Sequence, residues 1–575
     1  MINEDRIARS LKSVPHVFVD EKAIIPPLGT ARYNRHMPSD YRRISTAATR
    51  GISMVESIRS SIEPRVPSAI EPRLGIDPRA LGAFRIALGL LLLVDLVVIR
   101  LPDLHTFYTD AGVFPVSALA DAYPTFASLS IHAVSGSPWV QGLLVAIAGC
   151  FAVFLLVGYR TRLSTAISLV LLASLHARNP HVVNGGDTIL LTFLFLGLFL
   201  PLDARWSLDG VRSGGDQHRV DSRGDSNGHR SVFSLATAVV LLHVVSIYVS
   251  NAILKLQSDS WMGGTAVAQI FELEMYSAGL GPILAAYPLV LTAATWIWLA
   301  LHVVALFLLL YTGWPRIALV AAFVAAHLGM ALTMRIGIFP FVMIAGLLLF
   351  LPSPVWDRLD ERVTDLVNRG QGLLESGRSH SFDRVIEWTD VNGRPETEHR
   401  TPSGERTNSS MTGGTGVRRG RRVVWTALLV GFLLTSVLWQ ASVVGVVDAS
   451  PSAIDEDLAD GDWAFFAPNP PDASSWYVVE ATRESDETID PTTDDTVTFD
   501  RPPDVAGTYP SILWKRFGYE MRFASETQYE PTAVYVCQNV DHDVAAVTIY
   551  HVQQPVASDG PVDEPIPDKR ITTTC

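Results

Sequence analysis

The run VFSLATAVVLLHVVSIYVSNAIL, residues 232–254, is followed at once by Lys255. Its length and apolar character fit the roughly 20 residues that an α-helix needs to cross a ~30 Å hydrocarbon layer. Eight further runs lie at 81–100, 139–158, 163–177, 188–203, 286–311, 316–334, 336–351 and 423–447. Two of these runs are short and could pair as a hairpin, which would change the count by one. The chain is therefore predicted to be mainly α, a polytopic transmembrane helical bundle of about nine spans.

Basic residues alternate between successive connections of this predicted bundle. Loops 101–138 and 256–285 contain no Lys or Arg, whereas loop 204–231 and segment 356–422 are rich in arginine. The positive-inside rule places basic connections on the cytoplasmic side. The N-terminus is therefore predicted to be cytoplasmic and the C-terminal part extracytoplasmic, in the cell membrane.

This pattern predicts five parts along the chain. The N-terminal part is polar and has no secretory apolar region, and the Gly/Ser/Arg-rich linker cannot bury enough apolar surface to fold alone. The parts are a cytoplasmic tail at 1–76, a transmembrane domain of about eight helices at 77–356, a disordered cytoplasmic linker at 357–422, the last transmembrane helix at 423–447 and a small β-rich extracytoplasmic domain at 448–575.

The predicted outer domain is strongly acidic. Residues 448–575 contain 25 Asp and Glu against 7 Lys and Arg, a net charge of −18 within a total of −13. The whole chain has 40 arginines and 5 lysines. An acidic, lysine-poor surface is typical of haloarchaeal proteins in high salt, although GC-rich codon usage would also favour arginine. No basic patch lies in a folded segment, so nucleic-acid binding has no support.

Three stretches of the outer domain alternate apolar and polar residues, which predicts strands of a small antiparallel sheet. They are Trp476–Thr482, Ala533–Cys537 and Ala545–Val552. Cys537 and Cys575 share the outer side, so a disulfide between them is possible, but spacing alone cannot establish the Cα separation that a bridge needs. The chain has only three cysteines and no CxxC motif, so no metal site is predicted.

The aromatic–proline segment Trp463–Pro471 precedes the first of these stretches. Aromatic residues near the end of a span commonly anchor it at the lipid headgroups, which is the favoured interpretation. Alternatively, the segment covers a site between the spans.

Lys255 is the sharpest single candidate for chemistry. It is the only lysine between Lys22 and Lys515, and it lies at the outer end of its span, where basic residues are otherwise avoided. Asn251 and Tyr248 precede it by four and seven residues, so all three share one helix face. Such a polar stripe should face the bundle interior, where desolvation would make the amine a competent general base. The alternative is a lysine that snorkels to the interface.

A second outer element joins the third and fourth spans. Arg178, Asn179 and His181 supply hydrogen-bonding groups, and two glycines before Asp187 allow a close approach of a ligand. Substrate binding is one interpretation. The alternative for Asp187 is a helix N-cap role.

Ionisable residues also occur within the predicted spans. Asp95 lies about five residues from the outer end of span one, and an unpaired carboxylate at that depth is costly. Lys255 and Arg178 are the predicted partners of this structural ion pair. His302 and His327 are mid-span, where a lone histidine is more often a packed residue than a ligand.

Seven motifs occur in one order and together resemble the HTTM domain, a relative of the membrane region of vitamin K-dependent gamma-carboxylase. The resemblance covers about 77–356. The motifs are Phe84-Arg85 with Leu93-Val-Asp95, Tyr108–Pro115, Gly158–Arg160, Asn179–His181 with Gly185–Asp187, Trp206–Gly210, Lys255-Leu with Trp261–Gly264, and Ile336–Met343.

The resemblance implies a site chemistry. In the carboxylase a lysine at the position of Lys255 deprotonates a hydroquinone, and a histidine at the position of His181 is thought to assist. It therefore implies a catalytic Lys255 and a menaquinone-like quinone or quinol as ligand. The carboxylase's lumenal cysteine is replaced here by Gly112-Val-Phe-Pro115, so carboxylation of protein glutamate is the least transferable expectation.

Two other hypotheses remain open. The protein could be a non-catalytic membrane scaffold whose acidic domain contacts a partner, or it could be the membrane partner of a thiol-disulfide oxidoreductase, which HTTM domains often accompany.

Overall fold

The computed structural model describes residues 70–212, 231–375, 414–447, 466–491, 495–540 and 543–575. Most of the predicted N-terminal tail, most of the linker and the first part of the predicted outer domain lie outside these residues. In the described part, helices occupy the positions of all nine predicted spans. They are α1 Pro78–Val94, α2 Pro138–Val157, α3 Thr161–Arg178, α4 Gly185–Gly197, α5 Leu235–Lys255, α6 Pro288–Val304, α7 Trp314–Thr333, α8 Phe339–Leu348 and, after α9 Ser353–Glu375, α10 Gly414–Val443.

Five of the described helices are long and apolar enough to cross a membrane. These candidate spans lie in α1, α2, α5, α7 and α10. A sixth span results if α8 and the first part of α9, which are bent by 101° at their junction, count together. Helices α4 and α6 are apolar but shorter. The structure thus confirms a mainly helical bundle, while a count of nine spans stays a prediction.

Helix α3 is not one of these candidate spans, because several of its side chains are polar. These polar side chains face inward. Thr161, Ser164, Thr165 and Ser168 are buried, whereas Val170 on the other side is exposed. Thr165 bonds to the Thr161 carbonyl one turn earlier, which satisfies its hydroxyl inside the bundle. The helix therefore presents its apolar side outward.

Close packing joins α1 to α2. A Cβ atom at Gly89 would lie 2.7 Å from the Leu156 backbone, so only glycine permits this approach. Small residues at such contacts are typical of helices that pack within membranes. Helix α1 begins at the Asp77 N-cap and continues as a π-helix over Asp95–Arg100.

A polar seam joins the last apolar helix, α10, to α5. The Gln440 side chain accepts from Ser250 at 2.8 Å and donates to Ser246 at 3.0 Å. His243 Nδ1 lies 3.3 Å from Ser436 Oγ along the same seam. Hydrogen bonds of this kind stabilise helix pairs that lack a hydrophobic driving force.

Short helices fill the connections. They are Glu71–Leu74, Leu104–Tyr108, Val116–Ala122, Pro124–Leu129, Ile131–Val134, Pro180–Val182, Leu208–Arg212, Asp259–Met262, Ala266–Glu272, Glu274–Tyr276, Gly281–Ala285 and Phe307–Leu310.

The predicted disordered linker is helical at both ends. Helix α9 covers its first part and α10 begins at Gly414, before the predicted start of the last span. Arg79 holds α9 through ion pairs of 2.8 Å to both Asp357 and Asp360, and Trp356 is buried. The composition of the linker alone could not predict these contacts, because Arg79 comes from a distant part of the chain.

The C-terminal domain is a five-stranded antiparallel sheet with two helices. Its elements are β1 Ala473–Arg483, β2 Thr488–Ile489, α11 Ile512–Met521, α12 Glu526–Asn539, β3 Val544–Ala557, β4 Gly560–Pro561 and β5 Ile566–Thr574. The long strand β3 is central and pairs with β1, β4 and β5. The strands predicted at Trp476–Thr482 and Ala545–Val552 are confirmed as parts of β1 and β3.

The strand predicted at Ala533–Cys537 is wrong, because these residues belong to helix α12. Ser525 and Gln528 form a capping box at its start, which is a helix signal. Tyr529, Thr532 and Ala533 are buried at helical spacing. The alternation inferred from five residues was too short to distinguish the two periods.

Cys537 and Cys575 form a disulfide, with their Cα atoms 5.3 Å apart. The bridge ties α12 to the chain end after β5. The sequence left this pairing open, and the fold brings the two residues together.

The C-terminal domain shares a hydrophobic core with the loop that follows α1. The Phe107 ring lies 5.1 Å from Trp514 and 5.6 Å from Phe517, both on α11. Leu513 and Val182 are buried in the same cluster. The domain is therefore packed onto the helical bundle.

Candidate functional site

The amine of Lys255 is enclosed at the end of α5. The side chain is 1% exposed, and Nζ donates to Asn251 Oδ1 at 2.9 Å. Asn251 Nδ2 donates to the Ile247 carbonyl, which turns its oxygen toward the amine. Nζ also lies 4.8 Å from the centre of the Trp261 ring, a cation–π distance. This burial contradicts a lysine that snorkels into water.

Tyr248 continues the same face one turn deeper. Its ring contacts Phe323 at 4.4 Å between centroids, His302 at 5.7 Å and His327 at 6.0 Å. All four rings lie inside the helical bundle. The sequence predicts that Tyr248, Asn251 and Lys255 share a buried face, and the structure brings these three residues together. We call them the α5 group.

Residues 466–471, here called the strap, contact the residues that follow Lys255. The Phe466 carbonyl accepts from Trp261 Nε1 at 2.9 Å. Asn469 accepts from the Ser258 hydroxyl. The part of the aromatic–proline segment before Phe466 lies outside the described residues. The described part therefore holds Trp261, the ring beside the amine, and a covering role of the segment stays a prediction.

The second outer element holds the loop that follows α1. Arg178 Nη1 donates to the Phe114 carbonyl and Asn179 Nδ2 to the Phe107 carbonyl, both at 2.9 Å. The His181 ring packs edge-on against Phe114 at 4.9 Å. Burial lowers the pKa of His181 to about 4, so its imidazole is neutral at neutral pH. We call Arg178, Asn179 and His181 the outer-loop group.

The α5 group and the outer-loop group occupy different surroundings. The first lies among aromatic residues of α5, α6 and α7, and the second lies in the core shared by the outer loop and α11. The sequence placed both groups on the same side but could not show this separation. Their roles in substrate binding or catalysis stay predictions.

Four charges form a buried cluster between the bundle and the C-terminal domain. Arg100 Nε lies 2.7 Å from Asp95 Oδ2, and Arg100 Nη2 lies 3.2 Å from Asp187 Oδ1. Arg516, on α11, reaches Asp187 Oδ2 at 2.8 Å. Arg100 Nη1 also donates to the Tyr108 hydroxyl. The charges of the two aspartates and the two arginines balance. We call these four charged residues the charge cluster.

The predicted partners of Asp95 were wrong. Its carboxylate pairs with Arg100, five residues later, and not with Lys255 or Arg178. In an α-helix, side chains three or four positions apart are neighbours. The chain winds as a π-helix over Asp95–Arg100, and this winding brings the fifth residue onto the same face.

Asp187 combines a cap with two ion pairs. Its Oδ2 accepts from the Asn184 amide at 2.9 Å, and Asn184 Oδ1 accepts from the Asp187 amide at 3.1 Å. The N-cap residue is therefore Asn184, and Asp187 occupies the third helical position of a reciprocal capping box instead of the predicted N-cap. Arg100 and Arg516 form ion pairs with the same carboxylate. Asp187 therefore has a structural role, which the substrate-binding hypothesis did not predict.

Lys515 is a second buried amine that sequence reasoning missed. Its Nζ donates to the Arg335 carbonyl at 2.6 Å and lies 4.0 Å from the centre of the Tyr276 ring. Burial and the charges of Arg516 and Arg335 lower the pKa of Lys515 well below its usual value. Tyr276 in turn contacts the Phe466 ring at 5.1 Å. Adjacent Lys and Arg resemble a surface pair in sequence, so only the fold identifies this amine.

Among the described residues, no cluster of three His, Cys, Asp or Glu side chains could hold a metal ion. The apolar helices and the buried polar groups between them define an integral, multi-pass membrane protein. Residues 74–356 match the family model of the HTTM domain, so this part of the chain is an HTTM domain. No curated protein and no solved structure matches the chain.

Proposed function

We propose that this protein binds a quinol-like, lipid-soluble substrate of menaquinone type at an outer-side pocket, with Lys255 as the base that removes a proton from the ring hydroxyl. The observation that carries the proposal is the enclosure of the Lys255 amine. A quinol hydroxyl is a weak acid, so its deprotonation needs a base held away from water. The gamma-carboxylase reaction as a whole is not part of this proposal.

The contacts of Lys255 support this role. The Asn251 amide oxygen and the Trp261 ring, both neutral, lie against the amine. The amine also lies at the end of an apolar helix that is long enough to cross a bilayer. The Lys255 side chain is almost fully buried.

The same proposal includes the topology. We infer nine spans, a cytoplasmic N-terminus and an extracytoplasmic C-terminal domain, supported by the distribution of arginine along the loops. In this orientation the strap and the C-terminal domain lie outside. Cysteines introduced into loop 204–231 should resist an impermeant thiol reagent in intact cells, whereas cysteines in loop 101–138 should react.

Substitutions of Lys255 test the catalytic role. Lys255→Met keeps the length of the side chain and removes the titrating amine, so it should abolish quinol turnover while the protein still inserts. Lys255→Arg should fail as well, because a guanidinium stays protonated and cannot accept a proton. Oxidation of menadiol to menadione by purified protein in nanodiscs, with dissolved oxygen as the oxidant that is reduced to hydrogen peroxide, provides the measurement. Full activity of the arginine variant would refute the base.

A second candidate function is favoured by one observation. The Cys537–Cys575 disulfide ends at an exposed residue, Cys575, which suits a partner of a thiol-disulfide oxidoreductase. A thioredoxin-like protein lacking its resolving cysteine should then form a mixed disulfide with the full chain. A Cys575→Ser variant is the control. No adduct with the wild-type chain would exclude this candidate.

A further inference from the structure

Three polar side chains from three helices meet inside the bundle, below Lys255. Tyr248 lies on α5, His302 on α6 and His327 on α7, and all three are buried. Trp298 contacts both imidazoles, at 4.3 Å and 5.4 Å between centroids. We call Tyr248, His302 and His327 the polar triad.

Each histidine of the triad is fixed in one tautomer. His302 Nδ1 lies 2.8 Å from the Trp298 carbonyl, and His327 Nδ1 lies 2.8 Å from the Phe323 carbonyl. A carbonyl only accepts, so Nδ1 carries the proton in both rings and Nε2 presents a lone pair. The backbone carbonyls are one turn earlier on the same helices, so each ring is oriented by its own helix.

Two atoms of the triad lack hydrogen-bond partners among the described residues. These are the Tyr248 hydroxyl and His327 Nε2. Tyr248 is 2% exposed and His327 is 0% exposed, so bulk solvent does not reach them. Unpaired polar groups inside a bundle are costly, and phenylalanine at both positions would avoid that cost. Their retention indicates a ligand that supplies the missing partners.

The triad lies at a suitable distance from the amine. Lys255 Nζ reaches back to Asn251, which is three residues from Tyr248 on α5. Three residues correspond to a rise of ~4.5 Å between the Cα positions along the helix. The far oxygen of a ring bound at Lys255 would therefore lie on the side of the amine where the triad is.

We propose that Tyr248 and His327 recognise the ring oxygen remote from Lys255 and select the reduced, hydroxyl-bearing form of the ligand. A hydroxyl donates to His327 Nε2 and accepts from the Tyr248 hydroxyl, so both buried groups are satisfied. The carbonyl of an oxidised ring accepts from Tyr248 but leaves His327 Nε2 unpaired. His302 and Trp298 hold the rings in place. The ligand class rests on the proposed function, whereas the selection depends on the triad.

Binding of the two redox forms tests this selection. Purified full-length protein in nanodiscs is titrated with menadiol under anaerobic conditions and with menadione. The wild type should prefer menadiol by roughly tenfold, the usual effect of one hydrogen bond in a buried site. His327→Phe and Tyr248→Phe should each bind menadiol more weakly, and His327→Phe should lose the preference.

A matched control exists on the other side of α5. His243 is also a buried histidine within the bundle, but it faces α10 at the polar seam. His243→Phe should keep the preference for menadiol. Tyr248→Phe serves to confirm that folded variants were compared. The proposal would be overturned if the wild type and His327→Phe preferred menadiol equally. Failure of the wild type to bind either form would overturn it as well.

Lys255→Met separates this proposal from the proposed function. The methionine variant should bind menadiol with the wild-type preference and yet not turn it over. An active Lys255→Arg together with lost selectivity in His327→Phe would refute the base alone. Loss of turnover in Lys255→Met together with unchanged selectivity in His327→Phe would refute the triad alone.

Discussion

The charge cluster and the polar triad are both buried, but the cluster is built from ion-paired residues and the triad from polar ones. Every charge in the cluster lies within 3.2 Å of an opposite charge, and the two signs balance. In the triad, the Tyr248 hydroxyl and His327 Nε2 are buried without a hydrogen-bond partner among the described residues. Ion pairs of this kind hold elements together, although some atoms of all four charged residues also lack a hydrogen-bond partner among the described residues. Pairing of charge, and not polarity itself, therefore separates the two regions.

The largest effect on stability is expected in the charge cluster. Arg516→Gln leaves Asp187 with one cation fewer in a buried site, and breaking a buried pair costs roughly 3–5 kcal/mol. Thermal unfolding of the purified full-length protein measures this loss. Arg570→Gln, which removes a partly exposed pair to Asp568, is the control and should cost less than ~1 kcal/mol.

The charge cluster can also be tested by restoring the balance. Asp187→Asn combined with Arg516→Gln removes one charge of each sign and should recover part of the stability that Arg516→Gln loses. If the single variant is as stable as Arg570→Gln, the cluster does not hold the C-terminal domain, and the contrast with the triad fails.

The disulfide should have the next largest effect and should sharpen the contrast. Cys537 and Cys575 are separated by 38 residues, and a bridge across such a loop contributes roughly 2–4 kcal/mol. Cys537→Ser should therefore lower the unfolding temperature of the C-terminal domain. Redox-form selectivity at the triad should stay unchanged, because the bridge lies within the C-terminal domain. A loss of selectivity would show that the two regions are coupled.

The smallest effect concerns His551, a buried histidine on β3 whose Nε2 also lacks a hydrogen-bond partner among the described residues. Burial, with Arg570 and Arg522 nearby, lowers the pKa of His551 to about 4, against the opposing charge of Asp568. The unfolded chain, with a pKa near ~6.5, binds the proton first. Stability should therefore be full above that value and fall as the pH drops toward 4.

His551→Phe provides the control for this pH dependence. The substitution keeps the ring contact with Tyr477, at 5.1 Å in the wild type, and removes the titrating group. The part of the acid sensitivity between about pH 6.5 and 4 that belongs to this residue should disappear from thermal unfolding curves. An identical pH profile in the variant would assign the sensitivity to carboxylates instead.

Local periodicity predicted the helix positions and the α5 group. The spacing of Tyr248, Asn251 and Lys255 requires only the geometry of one α-helix, and the structure confirms their shared buried face. A capping interaction of Asp187 was also visible in the sequence, because its partner Asn184 is only three residues away. Inferences that depend on one regular element succeeded for this reason.

Contacts between distant or irregular elements were not predictable in the same way. The pairing of Asp95 with Arg100 depends on π-winding, which no residue pattern announced. Lys515 and Arg516 acquire their roles from tertiary contacts across more than 150 residues. The triad was missed because His302 and His327 were judged singly, and only the packing of α6 and α7 brings them to Tyr248.

The strap has a consequence for the order in which the protein is made. Phe466, whose carbonyl holds Trp261, follows that residue by 205 positions. At a synthesis rate of about 5–20 residues per second, the ribosome reaches the strap roughly 10–40 s after it has made the residues around Lys255. During that interval Trp261, the ring beside the Lys255 amine, lacks its carbonyl partner. A chain that stops short of the strap would insert its helices without this hydrogen bond.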